Sequence, residues 1–354
     1  MQTSQPCYQL VLAKQDLTSH LSTRLHSLNL TLCREKESDQ FDMTLSDHDG
    51  LLDIPTRGAS LSVALGWQTS GLIEQGSFTV DEVEVSGAPD VITVRARSAS
   101  MTGPMNERRE KSWHRVSLED IVRTIAARYQ LTHEIGEAFN HEIGEAFKNV
   151  IIDHIDQTHE SDFSFLTRLA HHYGALMTVK EQHLLFMPIG ASRTASGQAL
   201  PMIALKRHDI EQYRYHVAQR ESYAGVRAYW HHFGMAQRQS VIVGGENRYN
   251  LKVLPEQYAT QAQAKAAATA EWQRIQRSQA TLSMTLSLGR ADCFPEMPIS
   301  LTGFKPEIDE TSWLIARVCH TLAEQGFTTT LECEVKDDPV SARHRWQFRR
   351  GKAR

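Results

Sequence analysis

Between Thr281 and Leu288 the chain alternates without a fault. Leu282, Met284, Leu286 and Leu288 take one parity, and Thr281, Ser283, Thr285 and Ser287 take the other. Successive side chains of a strand point to opposite faces, so this pattern calls for a strand with one face in hydrocarbon and the other on water or a wet lumen. A second run repeats it: Phe327, Thr329, Leu331, Cys333 and Val335 oppose Thr328, Thr330, Glu332 and Glu334. A lone strand cannot bury such a face, and the chain must therefore build sheets.

The first hundred residues carry the same period in shorter runs. Ile92, Val94 and Ala96 share one face, and Thr93, Arg95 and Arg97 the other. Phe78 and Val80 have one parity while Val83 and Val85 have the opposite one, which predicts a bulge or a sheet covered on both faces. Turn residues recur at Asp49-Gly50, Pro55 with Gly58, Gly66, Gly71, Gly76, and Gly87 with Pro89. Short strands at that spacing point to a barrel or sandwich.

From Ser117 the period changes. Leu118, Ile121, Val122, Ile125, Ala126 and Tyr129 follow helical spacing, and Ser117 with Asp120 resembles a capping box with a shortened acid. A second helix is expected to start at Ser161, bury Leu166, Leu169, Ala170 and Tyr173, and stop at Gly174. A hairpin follows through Leu176, Thr178, Leu184, Phe186 and Pro188. Between the helices His133–Phe139 recurs as His141–Phe147, a tandem copy too short for a solenoid repeat and read as a duplication in an exposed loop. Its histidines and glutamates could suggest a metal site; a solvated surface segment is the plainer account.

Ala191 to Gly197 is small and polar and reads as a linker. Strands return after it, then one long helix from about Glu256 to Ser278 with Ala264, Ala268, Trp272 and Ile275 on a stripe. The expected division is a β-barrel-like region over 1–103, an α/β insertion over 104–195, a second β-barrel-like region over 196–338, and a basic tail over 339–354. The fold class is α+β, mainly β.

A search for chemistry finds no productive set. There is no GxSxG elbow, HExxH, GxxxxGK[ST] or helix-opening GxGxxG. The 17 histidines cluster only as His154 with His159, His171-His172 and His231-His232. Adjacent histidines on a helix point about 100° apart, so one packed and one exposed ring is expected at His171 and His172. Asp47-His48-Asp49 precedes Gly50 and reads as a turn. Asp153 and Asp156 flank His154 in a strand-like run without a reaction signature. Five cysteines, an odd number without a CxxC pair, argue against a disulfide framework or a cysteine zinc site. Cys319 and Cys333 sit in strand alternation and are read as small buried hydrophobes. No catalytic, cofactor-binding or metal-ligating residue is assigned.

A net charge of −4 gives no strong field for nucleic acid. No apolar stretch approaches a membrane span, and Met1 leads into a polar run, so a soluble, cytoplasmically made protein is expected. The C-terminal segment is the exception in charge. Arg343, Arg345, Arg349, Arg350 and Lys352, with Trp346 among them, form a pattern that fits a partner protein better than nucleic acid; a frayed, merely basic tail is the other reading.

Three segments carry a family resemblance: Phe41–Gly50 with Leu61–Gly66 and Gly76–Glu84, then Ile151–Ala170, then Trp313–Leu322 followed by Gly326–Glu332. They resemble the phage late control gene D family over about residues 5–338, similar to the hub half of VgrG proteins. The duplicated segment departs from the family pattern. The resemblance implies a structural baseplate hub of a contractile tail, not an enzyme. It implies a homotrimer whose two barrel-like tube domains per subunit form a ring between a sixfold tail tube and a threefold central spike. Tube, spike, tape-measure and other baseplate proteins would be its partners, and nucleic acid would only pass through the lumen. Its place would be the virion tail, after assembly in the bacterial host cytoplasm. A tail-borne cell-wall hydrolase or metallopeptidase and a transcriptional regulator are the competing classes. No helix-turn-helix with a basic recognition helix is visible for the latter.

Overall fold

A computed structural model of the chain describes residues 5–34, 38–98, 104–136, 150–180, 182–194, 196–217, 223–232, 237–245 and 250–336. The duplicate copy at 141–147 and the basic tail residues Arg343, Arg345, Trp346, Arg349, Arg350 and Lys352 lie outside them.

The N-terminal part holds β1 (Pro6–Leu12), β2 (Gln15–Asp16), a one-turn helix α1 (Thr18–Leu21), β3 (Leu25–Cys33), β4 (Gln40–Ser46), β5 (Ser60–Trp67), β6 (Gly71–Ser86) and β7 (Val91–Ser98). The middle part holds β8 (Arg108–Ser117), α2 (Leu118–Arg128), β9 (Thr132–Ile135), β10 (Ile151–Ser161), α3 (Asp162–Tyr173), β11 (Ala175–Lys180) and β12 (His183–Pro188). Then come β13 (Ile203–Lys206), β14 (Ile210–Val217), β15 (Gly225–His232), β16 (Gln237–Gly244), β17 (Leu251–Tyr258) and α4 (Gln261–Arg277). The last elements are β18 (Ala280–Leu286), β19 (Pro298–Thr302), α5 (Pro306–Asp309), β20 (Trp313–Ala323) and β21 (Gly326–Val335).

The strands before the middle part and those after it, apart from β15, β16 and β17, are joined in one 13-stranded sheet. Its main path runs β14-β18-β21-β20-β3-β4-β7-β6-β5-β1-β2, with β13 and β19 attached at β20. The seam is the antiparallel pairing of β20 with β3, from Arg317 opposite Cys33 to Ala323 opposite Ser27. One apolar core lies against this sheet and takes residues from both sides of the seam, among them Leu10, Phe41, Phe78, Ile92, Met284, Trp313 and Leu331. The alternation of the two long runs is realised as far as Leu286: Leu282, Met284, Leu286, Leu331 and Cys333 are buried and their neighbours are not, whereas Leu288, expected on the same buried face, lies past the end of β18 and is exposed. Cys319 is only half-buried, because it belongs to the opposite face of β20. The parity switch in β6 is a bulge, with the register against β7 slipping between Val80 and Glu82. Gly289 is needed where the chain passes the Phe327 ring, since a Cβ there would stand 2.5 Å from it.

The middle part buries a second core around Trp113, Ile121, Ile125, Phe165, Leu169 and Phe186. The Ser117 hydroxyl accepts from the Asp120 N–H at the start of α2 and the Ser161 hydroxyl from the Ser164 N–H at the start of α3. Gly174 ends α3 in the left-handed region at φ 67°. The first residue of α3, Asp162, is fully buried and is held by the Arg128 guanidinium, by the Tyr129 hydroxyl at 2.6 Å and by Gln157 Nε2 at 2.8 Å. A third small core joins α4 to the sheet β16-β15-β17.

The long helix begins later than the sequence suggests. Residues 256–258, assigned to it from composition, continue β17, which pairs in parallel with β15 as far as Trp230 opposite Tyr258. Thr260 then caps the helix by accepting from the Gln263 N–H. The competing ladder wins because its hydrogen bonds are nonlocal and leave no trace in a helical-propensity count.

Candidate functional site

The outer face of the large sheet carries an ordered array of polar side chains, and it crosses the seam. Following the strand register gives its rungs. One runs Gln212, Thr285, Thr330, Cys319, Thr31, Gln40, Arg97 and Thr79 from β14 to β6. The next runs Thr328, Thr321, Asn29, Asp42, Arg95 and Glu82. Each strand contributes through its odd or even parity, so the hydroxyl-rich half of the alternation becomes a single wall.

The side chains of this wall are committed largely to each other. Thr321 Oγ1 donates to Asn29 Oδ1 at 2.9 Å across the seam itself, and Thr285 Oγ1 lies 3.1 Å from Thr330 Oγ1. Gln40 Nε2 donates to the Asp42 carboxylate at 2.9 Å. Arg95 reaches Glu82 at 2.6 Å, Glu84 at 3.5 Å and Asp42 at 3.8 Å, while Arg97 meets Asp81 at 3.1 Å. Both signs of charge are interspersed, and exposed pairs of this kind contribute only about 0–1 kcal/mol each. A wall of this chemistry is wetted and adhesive to nothing in particular. It offers no nucleophile held by a base.

The sequence's other candidates resolve into local structure. Asp49 binds Arg24 through two oxygens, at 2.7 and 2.5 Å, and accepts from the Leu51 N–H, while Asp47 accepts from the Leu52 N–H. The Arg24 guanidinium holds the Asp49 carboxyl well below the usual carboxylate range. This is a turn, as read. His154 does not meet His159; it meets His114 of the neighbouring strand, and His159 meets Glu110 at 3.3 Å. At the end of α3 neither ring is exposed: His171 and His172 are both half-buried. His172 packs on Tyr173 and Tyr258, and burial pushes its pKa down to about 4. The expected exposed ring is thus covered, because β17 delivers Tyr258 to the same end. His231 stands opposite Arg238 on the small sheet, and the His232 ring lies 5.3 Å from Trp230. Among the described residues no group of three or more His, Cys, Asp or Glu side chains is placed to hold a metal ion.

Sequence reasoning missed a buried charge network at the base of the wall. Arg34, after β3, contacts Glu296 at 2.6 Å and Glu334 of β21 at 2.6 Å, and Arg277 at the end of α4 reaches Glu334 at 3.1 Å. Glu296 also accepts the Gly190 N–H at 2.7 Å, tying the middle part to the sheet. Desolvation raises the Glu296 carboxyl above its ordinary range although Arg34 opposes it. Partners separated by up to 300 residues leave no local signal.

The family model described as phage tail baseplate hub (GPD) matches residues 34–326, which span both sheet halves and the middle part. The chain belongs to the phage tail baseplate hub family. Its role is accordingly structural, that of a hub in a tail baseplate. The "Probable baseplate hub protein" of Escherichia phage 186 is 42% identical over 370 residues, covering 94% of this chain and 93% of that protein. The fold is also that of a 43 kDa tail protein of prophage MuSo2 from Shewanella oneidensis, with a TM-score of 0.67 at 15% identity and coverage of 93% and 98%. The E. coli c3393 protein, a type VI secretion component, shares the fold with a TM-score of 0.57 at 12% identity, covering 88% of this chain and 73% of that one.

Proposed function

We propose that the chain is the adaptor of a contractile tail, forming a homotrimeric ring between a sixfold tail tube and a threefold central spike, and that it acts without catalysis. The polar wall carries this reading. It extends from β14 to β6 through the β20–β3 seam, so each subunit would present two sheet halves, and three subunits would present six. Mixed charge and hydroxyls suit a lumen through which nucleic acid or protein passes without sticking. The edge strand β14, exposed over most of its length, would be closed by a neighbouring copy.

The division into two barrel-like regions over 1–103 and 196–338, an insertion over 104–195 and a basic tail over 339–354 is part of the same proposal. Tube, spike and tape-measure proteins are the proposed partners, with Arg343, Arg345, Trp346, Arg349, Arg350 and Lys352 contacting an acidic one. The proposed place is the virion tail, after assembly in the host cytoplasm. Light scattering with negative-stain class averages tests the ring. A mass of three subunits and a threefold hollow ring, alone or after tube and spike proteins are added, is expected. Chains that stay single with both partners present would overturn it.

A further inference from the structure

The large sheet is built twice from one pattern. Strands β3, β4, β6 and β7 stand side by side as β3-β4-β7-β6, and β14, β18, β20 and β21 stand as β14-β18-β21-β20, with every pair antiparallel. The irregularities recur at matching places. The first pair slips register between Leu25 and Ser27 in one block and between Ile210 and Gln212 in the other. The last pair slips between Val80 and Glu82 in one block and between Ile315 and Arg317 in the other. Both slips give the same alignment: Leu25 faces Leu45 as Ile210 faces Leu286, Leu45 faces Ile92 as Leu286 faces Thr329, and Val80 faces Ala96 as Ile315 faces Cys333.

One chain joins its blocks on one side only. The last strand of the second block, β20, pairs with the first strand of the first block, β3, and this is the seam. The last strand of the first block, β6, and the first strand of the second, β14, are left over. Strand β5 accompanies β6 only as far as Ser60 opposite Thr79. Among the described residues no strand follows Asp81–Ser86 on that side, and none pairs with the second edge of β14. Carried over by the alignment, the seam register puts Val83 opposite Val217, Glu84 opposite His216, Val85 opposite Tyr215, and Ser86 opposite Arg214. The side chains fit that register, although none was used to set it. Val83, Val85, Tyr215 and Val217 all take the core-side parity, and Val85 and Val217 are 54% and 46% exposed in the single chain. On the wet side a carboxylate would face an imidazole, and opposite-sign cross-strand pairs are favourable.

We propose that β14 of one copy pairs antiparallel with Asp81–Ser86 of β6 in the next copy, in the register of the β20–β3 seam. This rests on the ring reading given above and names the strands that close it. The contact is head-to-tail, so each copy spends one edge of each kind and three copies close a ring without a free edge.

The seam pair equivalent to Glu84 and His216 is Cys319 with Thr31, whose Sγ and Oγ1 stand 3.8 Å apart. Cysteines placed at 84 and 216 are therefore close enough to bridge neighbouring copies. Both positions are exposed, so the full-chain Glu84→Cys/His216→Cys variant should fold as the parent does, which circular dichroism checks. Light scattering of the reduced protein, alone and with tube and spike proteins added, reads the mass, and a non-reducing gel after oxidation reads the link. The expected result is a trimer whose chains join into two-chain and three-chain species. These should be lost on reduction and absent from the parent and from either single variant. They should also be absent from Glu84→Cys/Gln212→Cys, which stands four residues, or about 13 Å, out of register. Trimers that form without linking 84 to 216, or that link 84 to 212 as readily, would overturn the strand assignment and leave the ring standing. Chains that stay single with both partners present would overturn the ring and the assignment together.

Discussion

The large sheet and the middle α/β part are held together by different means. The seam between the two sheet halves is a ladder of backbone hydrogen bonds over a shared hydrocarbon core, with Thr321 and Asn29 adding one side-chain bond on the wet side. The middle part has its own core, with a buried aspartate at the start of α3, and is tied to the rest of the chain by point contacts. These are Ala266 of α4 packed into its core, Lys180 to Asp39 at 3.2 Å, and the Gly190 N–H to Glu296. Hydrocarbon burial is nondirectional and tolerates pH and salt, whereas a buried carboxylate depends on each partner being present. The contrast predicts that the sheet fails when volume is removed and the middle part fails when charge is changed.

The largest effect should come from the sheet core. Trp313 is fully buried, stacks edge-on against Tyr215 and donates its Nε1–H to the Ile308 carbonyl at 3.0 Å. Trp313→Ala should cost about 3–5 kcal/mol in a urea titration. A loss under 1 kcal/mol would mean the two sheet halves do not share one core.

Asp162→Asn comes next, at about 2–3 kcal/mol near neutral pH, since Arg128 and Arg109 would lose their buried counter-charge. The two buried carboxylates then separate by pH. The partners of Asp162 lower its folded pKa although desolvation opposes them, so its stabilisation is present above the unfolded value near 3.8 and is lost as pH falls through the folded one. Glu296 is raised by desolvation, so the native state binds the proton more readily. Its contribution therefore improves as pH falls from the folded value toward the unfolded one near 4.5. The stability difference between parent and Asp162→Asn should shrink in acid, and that between parent and Glu296→Gln should move in the parent's favour. Equal slopes in the two series would remove the distinction.

Smaller losses are expected at the helix ends of the middle part. Ser161→Ala removes the cap of α3 and should cost about 1 kcal/mol. Gly174→Ala should cost about as much, because its left-handed backbone strains any side chain and the new Cβ would meet Gln273 and Ala270 at 3.3 and 3.4 Å. The smallest effect belongs to the wall. Thr285→Val with Thr330→Val removes one hydroxyl pair from a wetted face and should change stability by less than about 0.5 kcal/mol. A larger loss would show the wall to be part of the core.

Much of this was legible in the sequence because it is local. The two strict alternations specify buried and wet faces residue by residue, and the wall is the wet half of that pattern summed over strands. Ser117, Ser161 and Gly174 mark helix ends because a cap is satisfied within three or four residues. The parity change between Val80 and Val83 marks the bulge for the same reason. What lies between distant segments was not legible. The β20–β3 pairing, the Arg34–Glu296–Glu334–Arg277 network, Tyr258 over His172, and His114 beside His154 join residues that share no sequence window. The amino-acid order alone determined which faces are apolar, because side-chain chemistry and backbone period are properties of a short stretch. Only the tertiary structure decided which faces meet, because that choice is made by nonlocal hydrogen bonding and packing across the whole chain.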